Sequence, residues 1–148
     1  MKPAAAALVL AALWMPAGSS LDAQSSRTFK TRLSPVPVPT YNPAIAGVGS
    51  VTATLTGNKM TIAGTFEGLA SPATTANIRK STKTGVRGDV ILNLTVTTGT
   101  SGSISGTFDL TPAQVQELAA GRYYVQVQSE KAPEGNLWGW LLAQETKK

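Results

Sequence analysis

Short runs in which every second residue is apolar constrain this chain more than any other feature. Val51, Ala53 and Leu55 alternate with Thr52 and Thr54, and after the polar break Thr56-Gly57-Asn58-Lys59 the alternation resumes at Met60, Ile62 and Phe66. A period of two sends successive side chains to opposite faces of a pleated strand, so this stretch predicts a hairpin with one buried face. The pattern returns at Val90, Leu92, Leu94 and Val96 within Asp89 to Val96. It returns again in Ser103 to Leu110, beyond the turn-forming Thr98-Gly99-Thr100-Ser101-Gly102. Arg27 to Leu33 alternates apolar with basic or polar residues and reads as a half-exposed strand. Tyr123 to Ser129 and Leu137 to Leu142 read as closing strands around the turn-rich segment Glu130 to Asn136.

Two segments depart from this pattern. Pro35, Pro37, Pro39 and Pro43 fix φ and remove amide donors, so Ser34 to Pro43 reads as extended chain crossing between sheets or along an edge, or as a free linker. Thr111 followed by Pro112, with Gln114 three residues after Thr111 and Gly121 downstream, has the capping box, first-turn proline and terminating glycine of a short helix. Val115, Leu118 and Ala119 share one face of it, and the helix is expected to plug one end of the fold. The expected fold is therefore all-β, a Greek-key-like antiparallel β-sandwich with one short helix before the last two strands. A length of 148 residues suits one domain. Its expected limits are residues 29–142, with a frayed stretch at 24–28 and a tail at 143–148.

Residues 1–23 read as an export signal. Met1 and Lys2 give a positive start, Ala4 to Met15 an apolar run, and Pro16 to Ser20 a helix-breaking small-residue stretch, with cleavage expected after Ala23 and Gly18 as the competing position. The run is about a dozen residues, short of the roughly 20 needed to span a bilayer as a helix, so no transmembrane anchor is expected. The expected location is secreted or periplasmic. Loss of Lys2 and Asp22 with the signal leaves the net charge at +5. That surplus favours acidic surfaces or anionic glycans, while nucleic acid is not an expected partner of an exported chain.

The chain has no histidine and no cysteine. Ser-His-Asp, Cys-His and histidine-metal catalysis are thereby excluded, as are disulfides. Asp89, Asp109, Glu130 and Glu134 sit among turns and strand ends and read as solvated charge, with nothing implying burial. Arg87-Gly88-Asp89 matches an adhesion tripeptide, and Asn93-Leu94-Thr95 a glycosylation acceptor; both read as incidental. Arg79, Lys80, Lys83 and Arg87 form a basic stretch without interleaved aromatics, which argues against a stacking platform for nucleic acid.

The order of elements resembles the CHRD domain. The residues that carry the resemblance are Leu33-Ser34 before the Pro-Val-Pro segment, Gly47 and Gly49, Gly68-Leu69, Ala76-Asn77-Ile78-Arg79 and Gly88-Asp89-Val90. It continues through Leu110-Thr111-Pro112-Ala113-Gln114 with Leu118 and Gly121, then Tyr124 to Ser129 with Pro133, Gly135, Gly139 and Leu141. The family usually carries a His-X-His triplet where Asn77-Ile78-Arg79 stands, and a histidine where Gln128 stands. Its closing Gly-Glu-Ile-Arg-Gly-Gln is here Gly135-Asn136-Leu137-Trp138-Gly139-Trp140. The resemblance implies a β-sandwich whose histidine layout is similar to that of copper-zinc superoxide dismutase. With those histidines replaced, neither a metal nor another cofactor is expected.

Pairing of the last two strands would place Val125, Val127 and Leu141 towards the core. Tyr124, Gln126, Gln128, Trp138 and Trp140 would then share the opposite face, bordered by Asn77 and Arg79 if the family's histidine positions are neighbours. The seven residues form a candidate binding site: either a flat amphipathic platform for sugar rings or protein, or a second small core covered by Pro35, Pro37 and Pro39. The expected function is an exported, non-catalytic binding or structural module that contacts a protein or glycan in the cell envelope or outside the cell. The alternatives are an accessory subunit of a larger exported assembly and a superoxide-dismutase-like or metal-handling relic without its ligands.

Overall fold

The computed structural model describes residues 26–83 and 85–144. The expected export signal lies outside the described residues, as do 24, 25 and the last four residues of the tail. The strands are β1 (Ser26–Pro35), β2 (Val48–Thr56), β3 (Lys59–Glu67), β4 (Ala73–Lys80), β5 (Asp89–Val96) and β6 (Gly102–Asp109). Helix α1 (Pro112–Ala119) follows, then β7 (Tyr123–Ser129), β8 (Ala132–Trp140) and the short β9 (Leu142–Ala143). The fold is thus all-β with one short helix, as its alternating sequence requires.

The strands run in the order β2-β3-β6-β5-β4-β7-β8-β1, and β1 returns to β2, so eight antiparallel strands close on themselves. This corrects the expectation of a sandwich. Two strands make the corners by serving two neighbours along their length. Residues 26–33 of β1 pair with β2, while Ser34 and Pro35 pair with Trp138 and Leu137 of β8. Likewise β5 pairs with β4 from Asp89 to Leu94 and with β6 at Thr95 and Val96. A closed sheet removes the open edges that a two-sheet sandwich must protect. The steps from β3 to β4 and from β6 to β7 skip neighbours and supply the Greek-key crossovers.

Alternation delivers the core. Phe29, Leu33, Val51, Ala53, Leu55, Met60, Ile62, Ile78, Ile104, Val125, Val127, Leu137 and Leu141 are buried in one cluster. Thr111 caps α1: its hydroxyl accepts from Gln114 N (3.1 Å) and the Gln114 side chain accepts from Thr111 N (2.9 Å), while Gly121 follows the helix at φ 76°. Leu118 enters the core and Val115 packs against it, but Ala119 faces solvent. Glu117 pairs with Lys80 of β4 and accepts from the Tyr123 hydroxyl at 3.0 Å, tying the helix to β4 and β7.

Four local readings differ. Ser26 to Thr28 are not frayed but pair with Thr56 to Thr54, and Ala143 of the expected tail pairs with Phe29 in β9. Strand β4 was not legible as a strand, because its register shifts between Ala73 and Thr75 and it carries Asn77 and Arg79 outward. The seven-residue turn from Glu130 to Asn136 is a two-residue turn, since Ala132 already pairs with Ser129. The surplus residues, 133–136, arch out of β8 as a bulge. The buried Asn136 anchors that arch, donating to Ser129 Oγ at 3.0 Å and accepting from Ala46 N at 2.9 Å.

Candidate functional site

Registers bring all seven candidate residues to one outward face. Arg79 stands opposite Tyr124, which stands opposite Trp140; Asn77 stands opposite Gln126, which stands opposite Trp138. Gln128 stands opposite Thr75 of β4 at one end of the face. Ser34 of β1 continues the second row beyond Trp138.

The face is not a flat platform. Tyr124, Gln126, Gln128 and Asn77 are buried although they point away from the core, and of the three aromatic residues on this face Trp138 and Trp140 remain partly exposed. The loop before β5 and the arch in β8 fold over it. Tyr124 O–H donates to the Gly88 carbonyl (3.3 Å) and its oxygen accepts from Gly88 N (2.9 Å). Gln126 Nε2 donates to the Glu134 carbonyl at 2.9 Å. Gly88 and Gly135 are required for these approaches. A Cβ at Gly88 would fall inside the Lys80 carbonyl, and one at Gly135 (φ 138°) would lie 2.6 Å from Gln126 Nε2.

The prolines are not the cover. Pro35, Pro37 and Pro39 are exposed, and it is Val36 that is buried, donating its amide to the Asn136 carbonyl at 3.0 Å. The tryptophans instead pack on the buried Tyr124, with ring centroids 5.7 Å away for Trp138 and 4.5 Å for Trp140. Their own rings are 6.0 Å apart and inclined at 62°. A groove of about 260 Å³ runs beside them, lined by Thr31, Arg32, Ser34, Trp138, Gly139, Trp140 and Leu142. Gly139 is its floor, where β1 crosses so closely that a Cβ would stand 2.6 Å from the Arg32 carbonyl.

Arg79 joins the polar half. Its Nε donates to Asn77 Oδ1 (3.0 Å) and Nη1 to the Gly88 carbonyl (3.2 Å). With its amide turned so that the oxygen meets the guanidinium, Gln128 accepts from Arg79 Nη2 at 3.1 Å and donates to the Thr75 carbonyl and hydroxyl at 3.2 and 2.9 Å. The three positions at which the resemblance implies histidines therefore do converge, but around a guanidinium. A fixed cation bonded to two amides leaves no lone-pair cage for copper or zinc, and no group of three metal-ligating side chains exists among the described residues. The residues present do not fit such a metal.

The other sequence signals are distributed by the fold. In Arg87-Gly88-Asp89, Asp89 already pairs with Lys80 in the β4–β5 ladder, so the tripeptide enters a strand and does not stand at a loop tip. Asn93 is exposed on β5, opposite Asn77. The basic stretch does not act as one patch: Lys80 pairs with Glu117, Arg79 joins the amide network, and Arg87 Nη1 lies 3.5 Å from the Glu134 carbonyl. Sequence reasoning missed Gly88, the Glu134 carbonyl and the β1 wall of the groove. Only the glycine before Asp89 signalled a special backbone there.

No helix among the described residues is long and apolar enough to cross a membrane. No curated protein and no solved structure matches the chain. The CHRD domain family model matches residues 29–141, which spans the closed sheet from Phe29 of β1 through the helix to Leu141 beside β9. That match covers most of the sequence and includes both rows of the outward face, so the chain belongs to the CHRD domain family.

Proposed function

We propose that this protein is an exported, non-catalytic binding module that contacts a macromolecular partner in the cell envelope or outside the cell through the Trp138–Trp140 groove. CHRD domains are in general binding or structural modules without enzymatic activity, and they are typical of extracellular proteins. The observation that carries the reading is the contrast within one aromatic cluster. Tyr124 is wholly buried, whereas Trp138 and Trp140, packed on it, keep part of their surface open beside a groove. An indole combines a large apolar ring with a donor N–H, which favours binding surfaces where one side stays wet.

The test is retention of partners from the protein's own envelope and culture fractions. Trp138→Ala with Trp140→Ala is expected to abolish retention of a partner that the parent protein holds, while the fold persists by circular dichroism. Retention unchanged by the double substitution would remove the reading. Export is tested separately by sequencing the N-terminus of the protein recovered from those fractions, which is expected to begin near Gln24.

A further inference from the structure

We infer that the occupant of the Trp138–Trp140 groove is an acidic polysaccharide, with a uronic-acid ring against the indoles and its carboxylate on Arg32. This inference rests on the binding reading above. Its first support is charge. The groove contains the exposed Arg32 and no carboxylate side chain. On the far side of the aromatic cluster, Arg79 stands in the same cross-strand row as Tyr124 and Trp140. Arg79 has neutral acceptors only, and three of its five N–H donors are engaged. The aromatic rings thus lie between two cations that pair with no carboxylate among the described residues, a setting that disfavours another cation and suits a repeating anion.

The second support is the chemistry of the surroundings. A protein partner of ordinary affinity needs about 800 Å² from each side with an apolar centre. Here the row that leads away from Arg32 is hydroxylic: Arg32 pairs with Ser50, which pairs with Thr65, which pairs with Ser103. Thr31 and Ser34 add hydroxyls in the groove itself. Indole faces for the C–H side of a pyranose, hydroxyls for its own hydroxyls, and a guanidinium fork for its carboxylate match an acidic sugar at every position.

The experiment uses the full chain with Trp14→Phe, which confines indole emission to Trp138 and Trp140. Polygalacturonate oligosaccharides, malto-oligosaccharides of equal length and poly-glutamate are titrated in turn. The expected result is an emission change with polygalacturonate alone, weakened by added salt, and an affinity about tenfold lower in Arg32→Ser, the loss expected when one charge-assisted contact is removed. Arg32 is exposed, so its variant should melt with the parent, and Arg32→Lys serves as a second variant of intermediate affinity. An equal response to the neutral chain, an equal response to poly-glutamate, or no response to polygalacturonate would each overturn the inference. If polygalacturonate fails while the tryptophan double variant still loses its retained partner, the acidic-glycan assignment falls and the binding reading stands. If the double variant also keeps its partner, both fall.

Discussion

The Tyr124 hydroxyl clasps both backbone groups of Gly88, accepting from the amide at 2.9 Å and donating to the carbonyl at 3.3 Å. One side chain thereby closes the loop before β5 over the outward face of β7. Tyr124→Phe keeps the ring that supports both tryptophans but leaves the Gly88 amide without its acceptor. An unsatisfied backbone donor in this setting costs about 1–2 kcal/mol, so the melting temperature is expected to fall by several degrees while the emission spectrum of the indoles changes little. Thermal unfolding followed by circular dichroism and fluorescence measures both.

Arg79→Ala strips donors from Asn77, Gln128 and the Gly88 carbonyl together. Loss of stability of about 2 kcal/mol is expected in denaturant titration, since buried amides are left unpaired. Arg79→Lys restores the charge but not the planar fork, so it is expected to recover only part of the loss.

Glu117 and Tyr123 contribute to opposite ends of the pH profile. The ion pair with Lys80, aided by the Tyr123 hydroxyl, holds the Glu117 carboxyl below its ordinary value of 4.5. A lowered carboxyl stabilises the fold fully above that ordinary value, and the stabilisation is lost as pH falls through the lower value in the folded protein. Burial, then the bond to Glu117, raises the Tyr123 phenol from its ordinary value of 10.0. That contribution is complete below pH 10.0 and declines as pH rises beyond it. Urea midpoints measured across pH should therefore lose their acid slope near pH 4 in part with Glu117→Gln, and their alkaline slope in part with Tyr123→Phe.

Copper and zinc at micromolar concentration are expected to leave the melting temperature unchanged. A ligand that binds only the folded state must raise it by mass action, and the convergent Asn77, Arg79 and Gln128 offer a guanidinium and amides where imidazoles would be needed. A metal-dependent rise in differential scanning calorimetry would contradict this.

Most strands were legible before the structure, because each buries one face and alternation records that directly: Val51-Ala53-Leu55 against Met60-Ile62 is the clearest case. The helix was legible because Thr111, Pro112, Gln114 and Gly121 are local signals whose partners lie within a few residues. Strand β4 was not, since its outward positions hold the polar Asn77 and Arg79, of which Asn77 is buried and Arg79 partly exposed, and its register shifts between Ala73 and Thr75. The β8 arch escaped because Pro133 to Asn136 reads as turn, and only the anchoring of Asn136 by Ser129 and Ala46 makes it a bulge inside a strand.

The sequence by itself determined that the chain is all-β, which side of each clearly alternating strand is apolar, and that histidine and cysteine chemistry is impossible. Those properties follow from residue type and from periods of two or four, which need no distant partner. It also placed Tyr124, Trp138 and Trp140 on a common face, since pairing of neighbouring strands preserves alternation. Only the tertiary structure decided that the sheet closes, through β1 and β5 each bending from one neighbour to another. It alone decided that Tyr124 is covered while the indoles stay partly open, because the cover comes from Gly88 and the arrangement of the groove from Arg32, more than thirty residues away in each case. Exposure depends on what the chain lays over a face, and no local pattern encodes that.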